Sequence, residues 1–140
     1  MNRLDYENLL EDFNLLESWE DKYRYIIDLG NELDPYPMEF RIENYRVLGC
    51  ASQVWFYPII SKIEDKKLFS FKGDSDALIV RGLIKILTII YSDKLVSDLQ
   101  DTDPFEKIKM LGLQDHLSSQ RSNGLKSMIS KIQEIIKENS

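Results

Sequence analysis

Cys50 is the only cysteine in the sequence, and it stands in the run Gly49-Cys50-Ala51-Ser52-Gln53-Val54-Trp55. One cysteine closes no intramolecular disulfide, and zinc or iron–sulfur sites need several soft ligands. Two readings remain. One is a small buried apolar residue, the commoner fate of a lone cysteine; the other is a thiol that reacts alone. The neighbours weaken the first. Gly49 permits unusual backbone angles and close approach by another chain, Ser52 and Gln53 are polar, and the segment falls between two predicted strands. A cysteine at such a loop tip can be presented to a partner. Its thiolate could attack a sulfur electrophile by the chemistry of thiol–disulfide exchange.

The other reactive side chains have simpler explanations. His116 is the only histidine, and a Cys/His hydrolase would pair it with Cys50 as general base. No oxyanion-hole signature or other hydrolase motif accompanies it, so a structural or surface histidine near a helix end is preferred. Asp74 and Asp76 are close enough to share acid and base duties, yet capping of the next helix accounts for both. Gly73 alone makes no phosphate loop, and the P-loop and dinucleotide patterns are absent. The polar run Ser118 to Leu125 reads as a helix start or as a contact surface in which Arg121 grips a partner's carboxylate. Trp19, Trp55 and the tyrosines read as core and sheet packing.

The whole chain must position these groups. With 43% hydrophobic and 30% charged residues it reads as a folded globule, expected to be one domain over residues 1–140. A net charge of −6, from 24 acidic and 18 basic residues, makes it a poor binder of nucleic acid or anionic membrane through its overall field. The start, Met1 to Glu7, turns acidic at once and shows no secretory pattern. The most apolar segment, Ala77 to Tyr91, is broken by Arg81 and Lys85 and is short for a bilayer span. With one unpaired cysteine, these features predict a reducing, cytoplasmic setting.

Apolar spacing predicts a helix from Leu4 to Leu16 and a second one capped by Ser18 and stopped by Pro35 and Pro37. Residues 34–45 read as an extended connection. A short strand near Arg46 to Leu48, a strand through Val54 to Ile60 and a return strand from Lys67 to Phe71 predict a small antiparallel sheet of about three strands. Pro58 places its strand at an edge or a bulge. Gly73 to Asp76 reads as a turn and cap for a core helix from Ala77, with Asp76 in its first turn. Short helices are expected at Asp93 to Leu99 and Pro104 to Leu111, then a long last helix through Leu125 to Ile136. Helices, strands and helices in that order favour α+β over a parallel α/β sheet.

Several segments together resemble one family. Gly49-Cys50-Ala51-Ser52-Gln53-Val54-Trp55 is similar to the GCxSxVW signature of the SufE family. Trp19 to Gly30 is similar to its second helix, Gly73-Asp74-Ser75-Asp76-Ala77-Leu78-Ile79-Val80-Arg81-Gly82-Leu83 to its GDSDAxIVxGL segment, and His116-Leu117 with Arg121-Ser122-Asn123-Gly124-Leu125 to its HLxxxRSxGL segment. The order is the same, and the likeness covers nearly the whole chain. Two positions depart: Tyr45 stands where the family usually has asparagine, and Ser119 where it often has proline.

The resemblance implies a helix-and-sheet fold like that of U-type scaffold proteins and a role as sulfur acceptor. Its partner would be a SufS-like cysteine desulfurase that holds pyridoxal phosphate (PLP) and strips sulfur from free cysteine, and the chain would stimulate that enzyme. By motif position Cys50 takes the sulfur as a persulfide, on a loop of Gly49, Ala51, Ser52 and Gln53 that shelters the thiol and opens on the partner. Asp76, Arg121 and His116 match positions linked to the loop or the partner. The sulfur would pass to an Fe–S scaffold, SufBCD-like or U-type. The chain itself would bind no cofactor or metal, since one cysteine cannot hold a cluster in the scaffold's way. Such a carrier is not a stand-alone enzyme. The competing readings are a carrier serving another sulfur pathway, a desulfurase-docking module without carrier chemistry, and the Cys/His hydrolase.

Overall fold

The structure is a computed structural model that describes residues 5–140. Its first two helices are set by side-chain caps. Asp5 accepts the amide of Asn8 at the start of α1 (Tyr6–Leu15), and Ser18 accepts that of Asp21 at the start of α2 (Trp19–Gly30). Leu9, Phe13, Ile26 and Leu29 face the core from them. The predicted first residue of α1, Leu4, lies outside the described residues.

Residues 34–45 are not extended. They fold into two short 3-10 turns, Met38–Phe40 and Glu43–Tyr45. The Tyr36 hydroxyl donates to the Phe40 carbonyl at 2.8 Å, Phe40 stacks on Tyr57 at 4.1 Å, and Tyr45 meets both rings edge-on. An extended chain would break these contacts among half-buried rings, so aromatic packing outweighs the local pattern.

The sheet has three antiparallel strands in the order β1 (Val54–Ile63), β2 (Lys66–Ser75), β3 (Lys94–Leu95). β1 and β2 pair without a break from Val54 opposite Ser75 to Ile63 opposite Lys66. β1 is an edge strand, which accommodates the missing amide of Pro58 as expected. Two expectations are corrected. Arg46 to Leu48 is not the third strand: Arg46 makes one isolated bridge to Trp55, and the Val47 amide donates to the Val54 carbonyl at 2.8 Å. Leu48 then leaves for the loop, so no ladder forms. The third strand is β3, which pairs with Leu68 and Phe69. A positive φ of 59° at Asp93 turns the chain back along β2 there, so the helix expected from Asp93 shrinks to α4 (Val96–Leu99).

Gly73 to Ser75 are not a turn either; β2 runs through them. A Cβ on Gly73 would come within 2.6 Å of Ile84 Cγ2, so the glycine lets strand and helix pack closely. The core helix α3 (Leu78–Tyr91) is buried on most sides, by Ile79, Leu83, Ile84, Ile86, Leu87 and Ile90 among others. It lies against α2, β2 and the last helix. Pro104 opens α5 (Pro104–Met110) under an Asp103 cap, and Ser118 caps α6 (Ser119–Glu138) by accepting the Arg121 amide. The architecture is α+β, as the element order predicted. No helix among the described residues is long and apolar enough to cross a membrane.

Candidate functional site

The loop that carries Cys50 is tethered at both ends and laid across α6. At its entry stands the Val47–Val54 hydrogen bond. At its exit the Gln53 amide donates to Asp76 Oδ1 at 3.1 Å, and the Asp76 amide donates to the Gln53 carbonyl at 3.4 Å. Between the tethers Gly49 adopts φ = 92°, a left-handed conformation that costs an L side chain about 1–2 kcal/mol. A Cβ there would also run into the Ser127 hydroxyl on α6. Gly49 therefore lets the loop lie flat on the helix.

That placement turns the thiol inward. Cys50 is half-buried, and its Sγ donates to the Gly124 carbonyl at 3.5 Å. It opens into a recess of about 150 Å³ lined by Val80 and Leu83 of α3 and by Gln120, Arg121, Gly124 and Met128 of α6. Burial raises the thiol above its ordinary pKa. The closed loop therefore favours the protonated thiol. Its stability is fully present below the ordinary thiol pKa and falls as pH rises through the raised value. The thiolate is the reactive form of a cysteine, so burial in this position lowers the reactive fraction of Cys50.

This arrangement carries a prediction. Gly49→Ala is expected to raise the rate of Cys50 alkylation by iodoacetamide at neutral pH about tenfold, because the strain and the Ser127 overlap oppose closure. The midpoint of the alkylation–pH profile moves down toward that of the unfolded chain. Equal rates and equal midpoints in variant and parent would show that the loop does not gate the thiol.

The residues singled out in the sequence are not all gathered here. Asp76 is exposed and sits two residues before α3 rather than in its first turn, because its carboxylate is drawn to Gln53. Arg121 lines the recess, but a guanidinium nitrogen donates to the Tyr23 hydroxyl at 2.5 Å. His116 is exposed, stacks on Trp19 at 4.2 Å between ring centroids, and does not line the recess. It forms no acid–base pair with Cys50, whose partner is a carbonyl.

Three features escape the sequence reading. Gly124 and Ser127 support the thiol and Gly49 from below. A glycine inside a helical pattern is their one signal, since it often marks close approach by another chain. The third is Asp74. It does not cap α3; it is buried, accepts the Ser75 amide at 2.8 Å and pairs with two arginines. Arg41 comes from the 3-10 segment and lies over the Trp55 ring, and Arg81 Nε of α3 lies 3.2 Å from Oδ1. Asp74 thus joins the chain before the loop to α3, two residues from the Asp76 tether.

Comparisons with known proteins agree on one family. Residues 7–136 match SufE, described as an Fe-S metabolism associated domain. A SufE-like protein of Rhizobium etli is 46% identical over 128 residues, covering 91% of this chain and 86% of that protein. The cysteine desulfuration protein SufE of Wigglesworthia glossinidia brevipalpis is 39% identical over 121 residues, covering 86% and 82%. The solution structure of a hypothetical protein from Thermus thermophilus superposes with a TM-score of 0.73 over 95% of this chain and 93% of that one. At 16% identity it speaks for the fold alone.

Proposed function

The chain belongs to the SufE family, with a role in Fe–S metabolism, and we propose that within it Cys50 accepts sulfur from a PLP-dependent cysteine desulfurase. The observation that carries this reading is the sheltered thiol: a lone cysteine on a two-tethered loop, facing a recess instead of a general base. A hydrolase needs a base and an oxyanion site beside its nucleophile. A carrier needs a thiolate, a shelter and a way out of it.

The transfer is an exchange at sulfur. Opening exposes Cys50, whose proton passes to solvent. The thiolate attacks the outer sulfur of the donor's cysteine persulfide. One S–S bond forms on Cys50 as the donor's S–S bond breaks, and the donor cysteine leaves as a thiolate that solvent reprotonates. No external oxidant or reductant is consumed. The recess, at about 150 Å³, has room for the added sulfur when the loop recloses; a water molecule takes about 30 Å³ in the liquid. Reclosure would keep the persulfide from the reductants of a cytoplasmic setting. The chain itself would hold no cofactor, since PLP belongs to the donor, and an Fe–S scaffold of SufBCD-like or U-type would receive the sulfur.

Intact-mass analysis after incubation with a cysteine desulfurase and free cysteine tests this. One added sulfur is expected, mapped to the Cys50 peptide and released by dithiothreitol. Stimulation of the desulfurase with no sulfur on the chain would favour the docking module instead.

A further inference from the structure

Charge is unevenly spread over this acidic chain. Residues 5–34 hold ten acidic side chains against two basic ones, whereas α6 holds four basic against two acidic. Beside the loop, between α6 and the Arg46–Leu48 segment, lies an open groove of about 390 Å³. Arg46, Lys126 and Lys131 line it together with Ser127 and Ser130, and Glu134 is its one acid. Arg46 is paired with Glu43 at 3.1 Å, but Lys126 and Lys131 make no ion pair among the described residues. Leu48 also lines the groove and is 77% exposed.

The groove is continuous with the thiol site. Leu48 leads directly into Gly49, and Ser127 both lines the groove and lies under Gly49. An occupant would therefore touch the loop at its entry, while Asp76 holds its exit. A polyanion such as nucleic acid or a phospholipid surface extends well beyond such a groove and would meet the acidic remainder of the chain. A short acidic peptide segment would not.

We propose that this groove receives an acidic segment of the sulfur donor, its carboxylates meeting Arg46, Lys126 and Lys131 and its apolar side chains meeting Leu48. The inference rests on the carrier reading above. The donor, not the downstream scaffold, is the occupant because the groove adjoins Gly49 at the loop's entry, and this closed loop must open before Cys50 can reach a donor's persulfide. Positive groups at the edge of a site steer association and make it salt-dependent more than they add affinity.

The test measures two quantities on the full chain: its association rate with the desulfurase over a sodium chloride series, by fluorescence anisotropy, and sulfur gain by intact mass. Lys126→Glu with Lys131→Glu is expected to slow association about tenfold at low salt and to flatten its salt dependence. Alkylation of Cys50 by iodoacetamide and the melting temperature stay at parent values. Unchanged association in the variant overturns the groove while leaving the carrier reading intact. Association that is salt-dependent and lost in the variant, without sulfur gain by the parent, keeps the groove and overturns the carrier. Suppression of a concentration-dependent dimer by the same variant, with association to the desulfurase unaffected, would assign the groove to the acidic α1–α2 face of a second copy and overturn the proposal.

Discussion

Cys50→Ser is expected to gain no sulfur from a desulfurase and free cysteine, and to lose stimulation of that enzyme down to background. The reason lies in the nucleophile, not in the fold. Serine keeps a donor for the Gly124 carbonyl that the thiol now uses, so the loop stays closed and the melting temperature stays within about 2 °C of the parent. A hydroxyl remains un-ionised at neutral pH and is a poor attacker of sulfur, whereas a thiol is partly ionised once exposed. Docking to the desulfurase should survive, because the groove residues are untouched. Stimulation that persists in Cys50→Ser would sink the carrier, whatever the state of the groove.

The second large effect concerns the frame. Gly82→Ala is expected to destabilise the chain by about 3 kcal/mol, a fall of roughly 10 °C in melting temperature for a chain of this size. Helix propensity alone argues the opposite, since alanine in place of a mid-helix glycine gains about 1 kcal/mol. The crossing of α2 and α3 decides the sign. A Cβ at Gly82 would come within 2.7 Å of the Ile26 carbonyl carbon, and one at Gly30 within 2.8 Å of the Gly82 nitrogen. Both obstacles are backbone, so no rotamer change relieves them. The helices would have to part, and α2 carries Tyr23, the partner of Arg121, while α3 carries Val80 and Leu83 of the recess. Faster Cys50 alkylation is expected alongside the lower melting temperature. A variant as stable as the parent in thermal unfolding would refute this account of the crossing.

Much of the fold is legible in local backbone chemistry. The cap at Ser18, the edge position of Pro58 and the start of α5 at Pro104 each stand where the pattern puts them. The differences share one cause. Local propensity misplaces residues 34–45, Arg46 to Leu48 and Gly73 to Ser75, because distant partners set their conformation. Phe40 seeks Tyr57, Leu48 follows the loop onto α6, and Ser75 pairs with Val54. Asp74 shows the same limit: two carboxylates in a short run look like caps until Arg41 and Arg81 converge on one of them.

The sequence by itself bounded the cysteine chemistry open to this chain. One cysteine rules out an intramolecular disulfide and a multi-thiolate metal site, because those need further sulfur atoms that the chain does not have. Control of that chemistry was decided only in three dimensions. The Gly124 carbonyl, the Ser127 hydroxyl under Gly49 and the walls from Val80 and Leu83 come from positions far from Cys50 in the chain. Burial and close approach are properties of non-local packing. They set the thiol's shelter and, through burial, the upward direction of its pKa.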